Sequence, residues 1–234
     1  MAILKGGIFG DISGKLNNVV VRKVRGKDVV TVRPKKYKKT KSKKAKYVRS
    51  RFSIAVEWAK YINSIPILKE VWSYADIKGS SAFNKIEKYN IKQVDDNAPS
   101  LKNIITPHEQ PNTSICSFPI EDISLNSQDI VCKLKDKNLN YPSDKDYNYT
   151  LVLILLFYEP KRKDKRYFIM ENITHPPLDL SSIENEIKIQ LTASINNNFK
   201  LYKRMIIYAA SIITVVEKKK YFSSLTFTKE FDIK

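Results

Sequence analysis

The sequence predicts an α+β protein in which a basic N-terminal β-hairpin arm and short helices precede an antiparallel β-sandwich of immunoglobulin-like architecture. Three observations predict it. Five of the six glycines lie within the first 26 residues, beside two β-branched runs. An apolar period of 3.6 residues follows between residues 46 and 90. Beyond residue 118 the period becomes two, which is typical of strands with one face in water.

The hairpin is predicted from two β-branched runs that surround a glycine turn. Residues 19–24 and 29–33 are rich in valine, and residues 25–28 between them include Gly26. Both runs also carry arginine or lysine, so we expect one edge or face of the hairpin to be cationic. Pro34 ends the second strand because proline has no N–H to donate.

A strongly basic segment follows the hairpin. From Arg33 to Arg51 there are 11 basic residues and no acidic one. Such a run repels itself and is extended in isolation. We interpret it as an arm that binds the nucleic-acid backbone, and the alternative is a solvated linker that only aids solubility. The first interpretation is favoured because the hairpin is basic as well, whereas an ordinary linker mixes charges of both signs.

Three helices are predicted next. The first starts near Ala45, Pro66 opens a second that runs to Ile77 with Gly79 as its C-terminal cap, and Ser80 or Ser81 caps a third over residues 82–89. On the first helix six apolar residues fall on one stripe: Val48, Phe52, Ala55, Val56, Ala59 and Ile62.

The aromatic residues of these helices have two possible roles. Trp58, Trp72 and Phe83 could stack on nucleobases, but they occur at helical spacing among aliphatic residues. We therefore expect them to pack in the core.

The C-terminal half is predicted to be all β. Residues 186–195 alternate strictly between apolar and polar types, Asn196–Asn198 are expected to form a turn, and residues 199–216 are long enough for one bent strand or two. Further strands are expected at 118–124, 129–134, 147–158, 166–172 and 221–228. About seven short strands with polar turns suggest an immunoglobulin-like sandwich.

These patterns divide the chain into four parts. Residues 1–45 form the glycine-rich hairpin and Lys-rich arm, 46–90 the helical segment, 91–117 a proline-containing linker, and 118–234 the β-sandwich.

The charge distribution indicates the partner class. The 234 residues carry a net charge of +18, and residues 1–60 hold 18 basic and three acidic side chains, a net charge of +15. A polyanion is the default partner of such a segment. Because no signal peptide and no apolar run of about 20 residues is present, we expect a cytoplasmic protein or one within an assembled particle, with no membrane span.

No pattern of catalytic or metal-binding residues stands out. Residues 10–16 differ from a phosphate loop in glycine spacing and in the Leu16 that follows Lys15, which excludes nucleotide hydrolysis but leaves Lys15 able to hold one phosphate. The histidines and cysteines have irregular spacing and are too few for a zinc site or a disulfide framework: His108, His175, Cys116 and Cys132. We expect no enzyme activity, no cofactor, no metal and no small-molecule substrate.

A series of motifs stands in the first 90 residues: Gly10-x-x-Ser13-Gly14-Lys15-Leu16-x-Asn18-Val19-Val20, Arg22-Lys23-x-x-Gly26-Lys27-x-Val29-Val30, Arg33-Pro34-Lys35-Lys36, Arg51-Phe52-x-x-Ala55, Lys69 with Trp72, and Ser81-Ala82-Phe83-Asn84 with Asn90. Their order resembles an uncharacterised family abundant in Bacteroidota, domain of unknown function 6266. The resemblance implies virion or particle assembly rather than metabolism. Two features depart from it: Asn17 replaces an expected glycine, and a Lys run replaces the expected Pro-x-Thr-x-x-Gln stretch, which suggests stronger electrostatics here.

The resulting hypothesis is a structural protein of a phage virion or similar nucleoprotein particle. Its basic arm and hairpin would bind DNA or RNA phosphates without sequence specificity, while the sandwich packs against copies of itself or other particle proteins. The expected contacts are Lys15, Arg22, Lys23, Arg25, Lys27, Arg33, Lys35, Lys36, Lys38, Lys39, Lys41, Lys43, Lys44, Arg49 and Arg51.

Two alternatives stay open. In the first, the hairpin pairs edge to edge with copies of itself or a scaffold, and the Lys run contacts acidic protein. In the second, the basic segment binds an anionic membrane surface. The membrane alternative is weakened because the apolar stripe that begins at Val48 is expected in the core.

Overall fold

The computed structural model describes residues 2–4, 14–16, 18–32, 42–107, 119–126, 129–135, 147–179, 185–215 and 220–233. They belong to two compact units, Met1–Ser42 and Lys43–Lys234. Several predictions lie outside the described residues: the phosphate-loop-like stretch at 10–13, the Lys run at 33–41, His108, Cys116 and the second part of the expected linker.

The first unit contains a four-stranded antiparallel sheet in the order β1-β4-β3-β2. Its strands are β1 (Ala2–Leu4), β2 (Gly14–Leu16), β3 (Val19–Val24) and β4 (Lys27–Val32). The predicted hairpin is confirmed as β3 and β4. Arg25 and Gly26 join these strands with φ angles of 53° and 74°, which is the two-residue turn that matches strand twist.

The second unit begins with the three predicted helices, α1 (Lys43–Ser64), α2 (Pro66–Tyr74) and α3 (Ala82–Asn90). Trp58 and Trp72 are fully buried, so the prediction that they pack in the core is confirmed. Half of the predicted α1 stripe is buried as well, but Val48 and Phe52 are 57% and 51% exposed. That part of the prediction was wrong because all residues from 46 to 50 are exposed, so the helix extends past the surface on which it packs.

Gly79 has a different role from the predicted helix cap. Helix α2 ends at Tyr74 and its cap residue is Ala75. The buried Lys85 of α3 donates from Nζ to the carbonyl oxygens of Ser73 at 3.0 Å and Ala75 at 2.8 Å. A Cβ at Gly79 would lie 2.7 Å from Lys85 Cγ. Glycine therefore leaves room for the lysine that satisfies the end of α2.

Two antiparallel sheets form the rest of the second unit. The larger has the order β12-β11-β7-β8, with β13 on β11 and β9 on β7, and the smaller has the order β10-β6-β5. The strands are β5 (Ile120–Leu125), β6 (Asp129–Leu134), β7 (Tyr147–Pro160), β8 (Phe168–Thr174), β9 (Leu178–Asp179), β10 (Glu186–Gln190), β11 (Tyr202–Val215), β12 (Lys220–Ser223) and β13 (Phe227–Asp232).

The larger sheet is buried on both faces. Along β7, Val152, Ile154 and Leu156 pack in one core cluster with the helices, whereas the intervening leucines pack in a second cluster with the smaller sheet. Successive side chains of a strand point to opposite faces, so the uninterrupted apolar run of β7 reflects cover on both sides. The helices, the larger sheet and the smaller sheet thus form three layers.

The region after β10 differs from the predicted strand and turn. Helix α4 (Ala193–Leu201) includes Ile195 and Asn196–Asn198. Thr192 caps it by accepting a hydrogen bond at Oγ1 from the Ile195 N–H, at 3.4 Å. The alternation of apolar and polar residues up to residue 195 therefore predicted a strand where the chain already forms a helix. Strand β11 follows directly and is one strand.

Residues 91–107, expected as the start of a linker, pack into the helical layer. Val94 and Ile105 are fully buried. The Trp72 indole donates from Nε1 to the Ile105 carbonyl at 2.8 Å. The proline and asparagine content that suggested a linker belongs to loops with buried hydrogen bonds.

Candidate nucleic-acid interface

Among the described residues of the first unit, four predicted contacts are exposed: Arg22, Lys23, Arg25 and Lys27. Arg22 and Lys23 are neighbours on β3 and therefore point to opposite faces of the sheet. Arg22 pairs in register with Val29, and Lys27 with Val24, which places Arg22 and Lys27 on one face as diagonal neighbours about 7–8 Å apart. The basic side chains gather at the turn end of the hairpin rather than on one face.

Arg25 occupies a turn position that usually holds Gly, Asn or Asp. Its φ of 53° lies in the left-handed region, which costs an ordinary residue about 1–2 kcal/mol. Backbone strain of this kind is often kept where a side chain serves a function. Here it puts an exposed guanidinium at the tip of the hairpin.

A second group of predicted contacts lies at the start of α1. Lys43, Lys44 and Arg49 are exposed, as is Lys46, and the first turn of the helix has no acidic residue. The N-terminus of a helix carries a partial positive charge, so these lysines add to a field that already favours anions. Arg49 donates from Nε to the Ala45 carbonyl at 3.1 Å, which directs its guanidinium toward the helix start.

Arg51 differs from the other predicted contacts. It donates from Nη2 to the carbonyl oxygens of Lys92 at 3.1 Å and Val94 at 2.6 Å, and from Nη1 to the Tyr47 hydroxyl at 3.2 Å. These bonds tie α1 to the segment that follows α3. The geometry gives Arg51 a structural role in place of the predicted phosphate contact.

The predicted residues whose side chains the structure describes thus belong partly to the first unit and partly to the second. Lys15 lies in β2 in register with Val20, and the structure describes its backbone but not its side chain. The rest of the predicted set also lies outside the described residues: Arg33, Lys35, Lys36, Lys38, Lys39 and Lys41.

The second unit also has an open cleft of about 780 Å³, which the sequence did not predict. It lies between residues 92–102 and the ends of β7, β11 and β13. Arg204 on β11 lies 3.5–3.8 Å from the carboxylates of Glu159, Glu230 and Asp232. The Tyr158 hydroxyl donates to Glu230.

The chemistry of this cleft is that of an ion-pair network. Burial and the neighbouring Glu230 raise the pKa of Tyr158 to about 12, so the phenol keeps its proton near neutral pH. Arg204 holds the carboxylates as its partners, and no histidine or cysteine is among the described residues that line the cleft. The network joins three strands. Its members come from positions 158, 159, 204, 230 and 232, which explains why no local motif marks it.

Of the histidines and cysteines in the sequence, the structure describes Cys132 and His175. Cys132 is fully buried in β6, and burial raises the pKa of its thiol to about 12, which makes it unreactive. His175 lies in the loop after β8, where Nδ1 is 2.8 Å from the Pro176 carbonyl. Within the part of the chain that the structure describes, no group of three His, Cys, Asp or Glu side chains is arranged to hold a metal ion.

No helix among the described residues combines the length and apolarity that crossing a membrane requires. Comparison with protein families, curated proteins and solved structures finds no match to this chain.

Proposed function

We propose that the protein is a non-enzymatic structural protein that binds the nucleic-acid backbone without sequence specificity through its N-terminal quarter. One observation carries the proposal: the basic side chains described at the hairpin turn and at residues 43–49 of α1 are exposed, and residues 1–60 carry a net charge of +15. A polyanion is the partner that a segment of this charge attracts most strongly.

The residue types support backbone binding over base reading. Lysine predominates between residues 33 and 46, and the lysine ammonium acts as a point charge toward phosphate. Base recognition usually requires bidentate donors held in a groove. The helix start adds to the attraction, because α1 begins with positive side chains where the backbone already carries partial positive charge.

The alternative of edge-to-edge pairing through the hairpin gains little support. Both hairpin strands are internal in the order β1-β4-β3-β2, and three residues of each, 19–21 in β3 and 28–30 in β4, are already paired with a further strand. The sheet edges are β1 and β2, which have only three residues each. Short edge strands limit pairing with another chain.

The proposed setting is a phage virion or similar particle, in the cytoplasm or in the assembled state. The resemblance of the first 90 residues to domain of unknown function 6266 supports this setting. The resemblance itself stays a prediction. The C-terminal sheets would contact neighbouring particle proteins, and their immunoglobulin-like architecture also stays a prediction.

Binding of the full chain to fluorescent duplex DNA across a salt series tests the proposal. If about eight phosphates are neutralised, the plot of log affinity against log salt has a slope of about −7. A variant with Arg22→Gln, Arg25→Gln and Lys27→Gln loses up to three contacts, so the slope becomes less steep by up to about 3.

The matched control removes three exposed lysines from the second unit, with Lys163→Gln, Lys165→Gln and Lys188→Gln. It has the same net charge as the hairpin variant, so both change the overall field equally. We expect the control to keep the wild-type slope. A shallow wild-type slope, or equal slopes for the two variants, would contradict binding at the hairpin.

A further inference from the structure

The N-terminal half of α1 exposes apolar side chains that the fold leaves unused. Phe52 is 51% exposed and Val48 is 57% exposed. They lie four residues apart and are therefore neighbours on the helix surface. Among the described residues the Phe52 ring has no aromatic partner. The apolar stripe continues into Ala55 and Ala59, but these are buried, so the exposed part ends after Phe52.

Cationic side chains are exposed on the same half of α1 as this ring. Arg49 precedes Phe52 by three residues and is its neighbour on the helix, and Lys46 and Lys44 are exposed six and eight residues before Phe52. No carboxylate occurs on α1 before Glu57. An aromatic face beside positive charge fits a ligand that presents both a flat ring and phosphates.

We infer that this face of α1 binds single-stranded nucleic acid, with an unpaired base stacked on Phe52 and the adjacent phosphates near Lys44, Lys46 and Arg49. The inference rests on the proposed function and names the substrate class within it. Bases of a duplex are stacked on one another and cannot lie on a ring at a helix surface, whereas the bases of a single strand can. Stacking is tolerant of sequence because every base has a π-face.

A single strand suits this surface better than an anionic membrane does. Helices that lie in a membrane interface carry a long apolar face, whereas the large apolar side chains exposed on this half of α1 are Tyr47, Val48 and Phe52, which span fewer than two turns. A membrane was disfavoured by the expectation that the apolar stripe from Val48 lies in the core. Because Val48 and Phe52 are exposed, that expectation no longer disfavours lipid. Lipid is therefore one outcome of the test.

The test compares binding of the full chain to labelled oligo-deoxythymidine of about 15 nucleotides and to a duplex of equal length, at one salt concentration. Wild type is expected to favour the single strand. Phe52→Ala is expected to weaken single-strand binding about 5- to 150-fold and to leave duplex binding unchanged. Phe52→Trp, which replaces the ring by a larger one, is expected to keep the preference for the single strand. Phe52→Leu, which has no ring, is expected to lose it.

Tyr167→Ala is the matched control, since it removes a ring that is 43% exposed elsewhere in the second unit. It is expected to change neither affinity. Tryptophan fluorescence verifies that the helical layer of the Ala and Leu variants and of the control stays packed, because Trp58 and Trp72 are buried in that layer.

Each contrary outcome is distinguishable. If the wild type binds neither nucleic acid, the proposed function itself fails. If it binds both equally, or if Phe52→Ala weakens both equally, only the stacking inference is overturned. Binding to vesicles of phosphatidylcholine and phosphatidylglycerol that is lost in Phe52→Ala, with single-strand binding unaltered, would assign the surface to lipid and overturn the inference.

Discussion

Replacing Asn90 by alanine should strongly destabilise the second unit. Asn90 ends α3 and is fully buried. Its Nδ2 donates to the carbonyl oxygens of Ile86 at 3.0 Å and Ile104 at 3.1 Å. Its Oδ1 accepts from the Ile104 N–H at 2.8 Å and from Asn103 Nδ2 at 2.9 Å. One amide group thus fixes the chain 14 residues further on.

The expected magnitude follows from the groups that would lose their partners. The Ile86 carbonyl stays within helix α3 in the variant. Asn103 Nδ2 still donates to the Asn90 backbone oxygen at 3.3 Å. The N–H and carbonyl of Ile104 lose the Asn90 amide in a buried position. An unsatisfied buried group costs about 1–3 kcal/mol, so the two together cost about 2–6 kcal/mol.

Urea unfolding followed by tryptophan fluorescence measures this difference. Asn97→Ala is the control, because it makes the same chemical change on an exposed residue of the next loop, where we expect a change within about 0.5 kcal/mol. A loss below about 1 kcal/mol for Asn90→Ala, or equal losses for the two variants, would refute the reasoning.

Two further predictions concern side-chain contacts in the same unit. Gly79→Ala should lower the free energy of unfolding by about 1–3 kcal/mol, because the added methyl group displaces Lys85 from the end of α2. In a double-mutant cycle, Gly79→Ala should have a much smaller effect in a Lys85→Ala background, and equal effects in the two backgrounds would contradict this reasoning. The hydrogen bond from Lys229 to Asp122, at 2.6 Å, lowers the pKa of that carboxyl, so its contribution to stability is present above the ordinary Asp pKa and lost as pH falls through the lowered value. Lys229→Met should raise the Asp122 pKa toward normal in a carboxyl NMR titration, and an unchanged pKa would exclude the pairing.

Elements whose signals are local were predictable from the sequence. The β3–β4 hairpin follows from its turn residues, and α1–α3 follow from apolar periodicity and from Pro66 and Ser81. Helix α4 was not predicted because a strict alternation runs to Ile195, and only the Thr192 cap marks the change. The packing of residues 91–107 depends on distant partners such as Trp72.

The candidate interface was predictable to the same extent. Exposure of Arg22, Arg25 and Lys27 follows from a dense run of charge, which cannot be buried without partners. The role of Arg51 could not be read locally, because its acceptors are the carbonyls of residues 92 and 94. The exposure of Phe52 depends on where the core ends, and sequence periodicity does not encode that position.

Because the larger sheet is buried on both faces, the second unit has two core clusters, and these differ in the aromatic residues that a spectroscopic measurement can detect. Both tryptophans lie in the cluster between the helices and this sheet, whereas Tyr147, Tyr149 and Tyr202 lie in the cluster toward the smaller sheet. Intrinsic tryptophan emission therefore reports on one layer boundary and is nearly blind to the other. A chain that sheds its smaller sheet while keeping its helices docked would look native by that signal, and only tyrosine absorbance or near-ultraviolet dichroism would register the loss.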